Sequence, residues 1–180
     1  MNKDSERFWK LLEPHHPQAE SFCRKLCGNR DDGDDLYQEA LLTALRQITS
    51  LRQSENFRPW LYRIIVNRFK NRTRSPWWRK RVSLDDETAG ALATVNPNDR
   101  HTARRWLERA MAVLKPEDRA LVVLYEIDGW KVGELAAMLS KPDGTVKARL
   151  ARSREKMRRV LSKFMVGKTT GEGSYVLPEN

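Results

Sequence analysis

The chain has 180 residues and a formal net charge of +10, with an isoelectric point near 9.9. Apolar residues make up 39% of it, which allows one medium domain or two small ones rather than a large core. The charge favours a polyanionic partner, nucleic acid before an acidic membrane surface. The sequence has no secretory signal and no stretch apolar enough to span a bilayer, so we expect a cytoplasmic protein without membrane insertion.

Two cysteines, Cys23 and Cys27, lie four residues apart near the N-terminus. On a helix this spacing places both side chains on one face. A zinc site would need two further ligands, for which His15 and His16 are the nearby candidates. Two small side chains packed in a reducing compartment explain the pair more simply, so we expect neither a metal nor a cofactor.

The next segment, DDGDDLYQEALLTALRQI, predicts an amphipathic helix capped by Asp34. At about 100° per residue its apolar positions fall on one half of the circumference, which makes that half the core face. Leu42 falls on the other half, among polar and acidic side chains. A leucine with an acidic rim is typical of a protein contact, whereas DNA would be repelled. This acidic patch consists of Asp35, Gln38, Glu39 and Leu42.

Residues 52–81 contain ten basic residues and one acidic residue. A helix is predicted to begin near Pro59, which is tolerated in a first turn. Along its outer face runs a stripe of cations and one amide, which suits duplex phosphates and base edges. This basic stripe consists of Arg63, Asn67, Lys70 and Arg74.

The polar loop before this helix carries Asn56 and Phe57, and Trp60 lies in the first turn. Aromatic faces stack on unpaired bases at about 1–3 kcal/mol per base. We therefore expect the loop to hold an unpaired base, although a ring such as Trp60 is more often a core residue. A basic stripe that suits duplex DNA lies next to aromatic rings that suit a single strand. This combination indicates a protein that binds at the edge of melted DNA.

Residues 81–100 lack a sustained period and predict a flexible linker, and residues 167–180 predict a disordered tail. Between them, KVGELAAMLS, KPDG and TVKARLARSREKMRR predict a helix, a turn and a second, basic helix whose N-terminal residues enter the major groove. Those residues are Thr145, Lys147, Ala148, Arg149 and Arg152. The expected fold is all-α, with two small helical domains over residues 1–80 and 101–166. The second is expected to be a four-helix domain containing the helix-turn-helix.

Together these segments resemble the extracytoplasmic-function (ECF) group of bacterial RNA polymerase sigma factors. DDLYQEALLTAL is similar to the family's polymerase-binding helix, FRPWLYRIIVNRFKN to its −10 segment, and DGTVKARLARSREKMRR to its −35 recognition helix. The resemblance implies core RNA polymerase and promoter DNA as partners, and commonly an anti-sigma factor. It also implies that the protein has no small-molecule substrate and is not an enzyme.

The resemblance also assigns roles to individual residues. It implies that the acidic patch meets the clamp helices of the largest polymerase subunit. The residues that match the family's −10 loop and melting fork are Asn56, Phe57, Trp60, Arg63, Asn67 and Lys70. Those that match the −35 contacts are Lys147, Ala148, Arg149, Leu150 and Arg152.

Two positions depart from the family's pattern. Ser140 stands where the family's turn commonly has glycine, and a positive φ there would cost about 1–2 kcal/mol. Ala148 replaces a commonly polar residue, which removes one hydrogen bond and offers an apolar contact, such as one to a thymine methyl. The −35 sequence that the helix prefers therefore stays open.

Two other functions remain as alternatives. A helix-turn-helix regulator that is not a polymerase subunit explains residues 101–165 but leaves the acidic patch without a role. An enzyme that processes nucleic acid is disfavoured because the sequence shows no carboxylate cluster for metals, no phosphate-binding glycine loop and no paired nucleophile and base. We therefore expect a sigma factor that binds the −35 and −10 elements and melts DNA.

Overall fold

The computed structural model describes residues 3–75 and 100–166, and all regular structure within these ranges is helical. The predicted all-α class is confirmed. The predicted linker up to residue 99, the predicted tail over residues 167–180 and two tryptophans of the basic segment lie outside the described residues. The α-helices are α1 (Lys3–Leu12), α2 (His16–Cys27), α3 (Arg30–Gln47), α4 (Phe57–Thr73), α5 (Arg100–Ala112), α6 (Pro116–Val122), α7 (Val132–Leu139) and α8 (Asp143–Val166).

The N-terminal unit, residues 3–75, packs α1 to α4 around an apolar core. Each helix contributes at least one large side chain that has no more than 1% of its surface exposed: Phe8, Phe22, Leu36 and Tyr62. The rings of Phe22 and Tyr62 lie 5.0 Å apart across this core. The apolar face predicted for residues 36–48 is buried or half-buried, as the helical period requires.

The junction between α2 and α3 differs from the prediction. Gly28 ends α2 in the left-handed conformation, with φ 80°, and Asn29 then caps α3 by accepting a hydrogen bond from the Asp32 backbone N–H at 2.9 Å. The prediction that Asp34 caps this helix is wrong, because the cap is Asn29, five residues earlier. Asp34 instead pairs with Arg24 of α2, whose Nε lies 2.6 Å from its Oδ1.

Gly33 lets α2 and α3 approach closely. A Cβ at Gly33 would lie 2.4 Å from the Arg24 Cα and 2.7 Å from the Arg24 backbone N. The backbone of α2 therefore occupies the space that any larger side chain would need. Glycine is required here although it costs about 1 kcal/mol relative to alanine in a helix.

The C-terminal unit, residues 100–166, contains α5 to α8, and a π-helical turn over Val123–Ile127 extends α6. Leu121, Leu135 and Val146, from α6, α7 and α8, are fully buried and form its core. The predicted helix-turn-helix is α7, the following turn, and α8. At the turn, Ser140 has φ 53° and ψ 48°, so a residue other than glycine holds the left-handed conformation there.

The two units pack against each other, with α4 lying against α6 and α7. Trp130 of the C-terminal unit is 3% exposed, and its ring lies 4.7 Å from that of Tyr62. The Arg58 guanidinium lies 4.1 Å from the centroid of the same ring. The sequence left open whether the units touch, and the structure shows that they do. Among the described residues, no helix combines the length and apolar character needed to cross a membrane.

Candidate protein and nucleic-acid interfaces

The acidic patch lies on the exposed face of α3. Asp35, Gln38 and Glu39 are exposed, and Leu42 has 56% of its surface exposed. The opposite face of the helix is packed into the core, so no rotation of α3 could bury this leucine without exposing larger apolar side chains. The structure therefore brings all four predicted residues onto one accessible face.

Arg72 of α4 fixes the beginning of α3 behind this patch. Its Nη1 donates a hydrogen bond to the Asp32 carbonyl at 3.0 Å, and its Nη2 lies 3.7 Å from Asp32 Oδ1 and 3.5 Å from Asp35 Oδ2. The side chains of Arg72 and Asp32 are only 15% and 6% exposed. Removal of either would leave the other charge largely withdrawn from water, which is costly. Asp35 remains 65% exposed and accessible to a partner.

The basic stripe lies along α4 as the period predicts. Arg63, Asn67 and Arg74 are exposed, and Lys70 is half-buried. Their neighbours on the other face, such as Ile65 and Phe69, have no more than 1% of their surface exposed. Side chains at these spacings point the same way, so the stripe presents its cations and amide together.

A cavity of about 500 Å³ lies beside the start of this stripe. Asn56, Trp60 and Arg63 line it from the N-terminal unit, and Ala137 and Met138 of α7 line its other side. The Asn56 side chain is exposed and donates a hydrogen bond to Gln53 Oε1 at 2.9 Å. Trp60 is 9% exposed. An aromatic ring, an amide and a cation thus line one recess.

The structure corrects the prediction for Phe57. This residue does not lie in the loop but begins α4, and it is 1% exposed. Its ring packs 6.0 Å from Phe8, 5.7 Å from Trp60 and 5.9 Å from His15. A ring enclosed in this way cannot stack on a base, so Phe57 supports the recess from behind.

The N-terminal turns of α8 present most of the predicted −35 residues to solvent. Thr145, Lys147, Ala148 and Arg152 are exposed. The structure corrects the prediction for Leu150, which is 3% exposed and packs into the core. Its position on the same stripe as Val146 explains this placement, because that stripe docks α8 onto the rest of the unit.

Arg149 differs from its exposed neighbours on α8. Its Nη2 lies 2.7 Å from Asp118 Oδ1 and 3.2 Å from Glu117 Oε2, and its side chain is 18% exposed. Both carboxylates stand in the first turn of α6. A guanidinium held by two acidic groups must exchange these partners, or share them, before it can contact a phosphate or a base.

The two cysteines lie in the packed part of α2. Cys23 is fully buried, and the Cys27 Sγ lies 3.5 Å from the Asp32 carbonyl oxygen. Burial raises the pKa of both thiols, to about 12 for Cys27. The two candidate zinc ligands are engaged elsewhere, since His15 stacks on Phe57 and the His16 ring lies 5.3 Å from that of Tyr37. The described residues contain no group of three or more His, Cys, Asp or Glu side chains that could hold a metal.

Comparisons with known proteins agree with this geometry. The family described as Sigma-70 region 2 matches residues 11–79, and that described as Sigma-70, region 4 matches residues 104–157. The ECF RNA polymerase sigma factor SigM of Mycobacterium tuberculosis is 32% identical over 164 residues, covering 91% of this chain and 82% of SigM. SigW of Bacillus subtilis is 28% identical over 171 residues, covering 88% of this chain and 90% of SigW.

The chain belongs to the ECF RNA polymerase sigma factors. Two solved structures share its fold. One is the sigma factor RpoE in complex with the anti-sigma factor NepR from Bartonella quintana, with a TM-score of 0.59 and 23% identity over 86% of this chain and 96% of that one. The other is CnrH in complex with the cytosolic domain of CnrY, with a TM-score of 0.60 and 22% identity over 87% of this chain and 88% of that one.

In this ECF sigma factor the two predicted DNA faces are close to each other. Lys70 of the basic stripe pairs with Glu117 of the C-terminal unit, with Nζ and Oε1 2.5 Å apart. Arg63 Nη1 lies 3.4 Å from the Ser140 Oγ in the turn before α8. The recess lined by Asn56, Trp60 and Arg63 is bordered by α7. We call this arrangement, in which the two units are in contact, the closed arrangement.

Two charged groups along the contact between the units have shifted pKa values. A hydrogen bond from Lys70 lowers the pKa of the Glu117 carboxyl, and Arg149 adds to the effect. Burial lowers the pKa of the Arg119 guanidinium, which lies 5.9 Å from the centroid of the Phe69 ring. The lowered pKa keeps Glu117 ionised. Arg119 stays charged although burial removes much of its hydration.

Sequence reasoning missed the residues that join the units. Arg58 Nη1 lies 2.7 Å from Glu134 Oε1, and Arg104 Nη2 donates to the Gly28 carbonyl at 2.8 Å. These contacts join residues 76 apart in sequence, which no local pattern relates. The sequence did contain one signal of this contact. Acidic residues lie in the first turns of α6 and α7, whereas α4 and α8, which carry the predicted DNA faces, are rich in basic residues.

Proposed function

We propose that this sigma factor divides promoter recognition between its two units. Residues 1–80 bind core polymerase through the acidic patch and the −10 element through the basic stripe. Residues 101–166 bind the −35 element through α8, and residues 81–100 link the two. The separation of charge supports this proposal: the same small unit exposes an acidic, leucine-centred patch on α3 and a basic stripe on α4.

The −10 contacts are proposed to include the recess beside α4. Asn56, Trp60 and Arg63 could take one unpaired base by hydrogen bonding, stacking and phosphate pairing. Extruding a base from a duplex costs a few kcal/mol, and stacking on an aromatic ring offsets about 1–3 kcal/mol of that. Asn67, Lys70 and Arg74 would then follow the adjoining backbone.

The −35 contacts are proposed to come from the exposed residues of α8. Lys147 and Arg152 supply cations, Thr145 supplies a hydroxyl, and Ala148 supplies a methyl group at the N-terminal end that enters the major groove. Arg149 joins them when it leaves or shares Asp118 and Glu117.

We also propose that an anti-sigma protein binds this chain. The two solved structures of the same fold are described as complexes with NepR, an anti-sigma factor, and with the cytosolic domain of CnrY. The protein is proposed to act in the cytoplasm, where polymerase and promoters are, and to have no catalytic chemistry of its own.

The test is run-off transcription with bacterial core polymerase on fragments of the source genome, combined with a core-binding assay. Leu42→Asp should abolish both core binding and new transcripts, and Gln38→Ala should weaken both. The matched control is Leu107→Asp, because Leu107 is an exposed leucine of similar accessibility, 46%, in the other unit. It should leave core binding unchanged.

Arg152→Ala and Arg149→Ala should reduce transcript yield while core binding stays at the wild-type level. If these two variants and the acidic-patch variants show the same defect, the division between two sites is wrong. If no transcript appears but the protein alone binds specific duplex sites, it acts as a helix-turn-helix regulator without polymerase.

A further inference from the structure

We propose that a cavity beside the π turn binds a small amphipathic anion, namely a carboxylate with an unbranched aliphatic chain. The cavity has a volume of about 660 Å³, with α2 on one side and α5, α6, the π turn and α8 on the other. Pockets of about 300–1,000 Å³ are typical of small-molecule sites. This cavity shares no described lining residue with the recess beside α4. The inference does not rest on the proposed function, which assigns the cavity no role.

Aliphatic and thioether side chains form much of the cavity wall, and no aromatic ring is among its described lining residues. Thioethers adapt their shape to irregular apolar ligands, and a wall without rings suits a flexible chain better than a flat ring system. The wall includes Met111, Val122, Val123, Ile127 and Met157. It extends from the core to the surface, since Val123 is 1% exposed and Ile127 is 53% exposed.

The π turn gives the wall its shape. The Asp128 backbone N–H donates to the Val123 carbonyl at 3.1 Å, so the hydrogen bond spans five residues instead of the four of an α-helix. Turns of this kind are rare and are frequent at functional sites. Here the turn carries Val123 at the inner part of the wall and Ile127 at the mouth. Burial of this exposed isoleucine by a ligand would be favourable.

Arg119 supplies the contact for the carboxylate. It lines the cavity, and its Nε is buried without a hydrogen-bond partner among the described residues. Burial lowers the pKa of the guanidinium because the charged form has lost water. The Phe69 ring, 5.9 Å away, compensates only weakly. A carboxylate in the cavity would satisfy the open donor and compensate the charge, and such charge-assisted pairs are the strong ones.

The charge of the lining also favours an anion over a cation. Five of the described lining residues are basic and two are acidic. Both acidic residues are already paired: Glu108 with Arg104 at 2.9 Å, and Glu126 with Arg154 at 2.6 Å. The lining cations of α2 and of the start of α3 pair with acidic side chains as well. Arg119 is thus the lining cation whose buried donor a ligand can satisfy.

The size of the cavity favours a small molecule over a helix of a partner protein. A helix is about 10–12 Å across with its side chains, so this volume would hold roughly one turn of it. An ordinary helix has about three to four turns. An aliphatic chain, in contrast, can bury most of its surface in such a space.

The test uses the full chain with ¹³C-labelled methionine methyl groups, titrated with octanoate, decanoate or dodecanoate below their micelle concentrations. Met111 and Met157 line the cavity, whereas Met138 of α7 does not and serves as an internal control. Decanoate should shift the first two methyl signals and leave that of Met138 unchanged. Affinity should rise about fourfold for each added methylene group, which is about fifteenfold from octanoate to decanoate.

The head group is tested with 1-decanol, which has the same chain length but no charge, and with variants. 1-Decanol should bind at least about tenfold more weakly than decanoate. Arg119→Leu should weaken decanoate binding about tenfold without weakening 1-decanol binding. Ile127→Glu should weaken the binding of both. The matched control is Val113→Glu, because Val113 is similarly exposed, 49%, in the same unit but does not line the cavity, and it should leave both affinities unchanged.

Equal affinity of Arg119→Leu and wild-type protein for decanoate would overturn the inference, as would a shift of Met138 as large as those of Met111 and Met157. No shift with any of the three acids would also overturn it and would leave a protein segment as the occupant of the cavity. The measurement needs neither polymerase nor promoter DNA, so a failure of the proposed function would not change its result.

Discussion

Gly33→Ala should destabilise the N-terminal unit although it places a better helix former in the N-terminal part of α3. The introduced Cβ would lie 2.4 Å from the Arg24 Cα, a backbone atom that no rotamer change can move. To reach the 3.4 Å of an ordinary contact, α2 and α3 would have to separate by about 1 Å at this point. The substitution therefore sets a steric cost against a gain in helix propensity.

The steric term is the larger of the two. Alanine gains about 1 kcal/mol over glycine in a helix. A 1 Å gap forfeits about a quarter to a half of each dispersion contact across the helix pair, and overpacking typically costs about 1–3 kcal/mol, with backbone clashes at the upper end. Since Phe22 and Leu36 on these helices are fully buried, many contacts are affected. The expected net loss is about 2 kcal/mol of the free energy of unfolding.

Urea denaturation followed by circular dichroism measures this loss. With a slope of about 2 kcal/mol per molar urea, the midpoint should fall by roughly 1 M. The matched control is Gly133→Ala in α7, where a Cβ meets no atom within 4 Å, and it should be neutral or slightly stabilising. A Gly33→Ala protein as stable as the Gly133→Ala protein would show that the helices are not held this close.

Further expected outcomes can be checked with the same purified protein. Ser140→Gly should raise the urea midpoint by the equivalent of about 0.5–1 kcal/mol, because relief of the left-handed strain exceeds the entropy that glycine adds to the unfolded chain; an unchanged or lower midpoint would contradict this. Cys23 and Cys27 should react with Ellman's reagent at pH 8 far more slowly in the native protein than in urea, because burial raises both thiol pKa values; rapid native labelling would show that α2 opens. Glu117 faces Lys70 from α4 and Arg149 from α8, and both cations lower its pKa. The Glu117 carboxylate therefore contributes fully to closure above pH 4.5, the ordinary pKa of a glutamate, and loses this contribution only as the pH falls through the lowered pKa. The radius of gyration should therefore stay constant from about pH 8 to about pH 5, and expansion within this range would contradict the assignment.

Helical periodicity predicted the elements and the faces of this protein well. Leu42 was expected outside because seven apolar neighbours occupy the other half of α3, and it is 56% exposed. The same reasoning placed the basic stripe along α4. Local patterns succeed here because short helices in a small unit have only one way to bury their apolar half.

The misplaced residues lie where local pattern and tertiary packing compete. Phe57 follows a polar loop and precedes Pro59, so sequence alone suggested an accessible ring, yet His15 and Phe8 from earlier helices enclose it. The resemblance implied a DNA contact for Leu150, yet the structure leaves it only 3% exposed, one turn after the buried Val146. Its burial follows from the helical spacing, because α8 docks onto the rest of its unit through the row of side chains that includes Val146 and Leu150.

The contact between the units could not be predicted, because it depends on pairs far apart in sequence. It also bears on two residues that were predicted to contact DNA. Lys70 and Arg149 were identified as DNA contacts from their charge and spacing, and the structure shows both of them bound to one carboxylate, Glu117. A cation that can bind a phosphate can also bind a carboxylate at the same distance. A basic surface predicted to bind DNA can therefore also bind acidic side chains from another part of the same chain. In this two-unit protein, therefore, the affinity for promoter DNA that we propose for each face would depend on the free energy of closing the units.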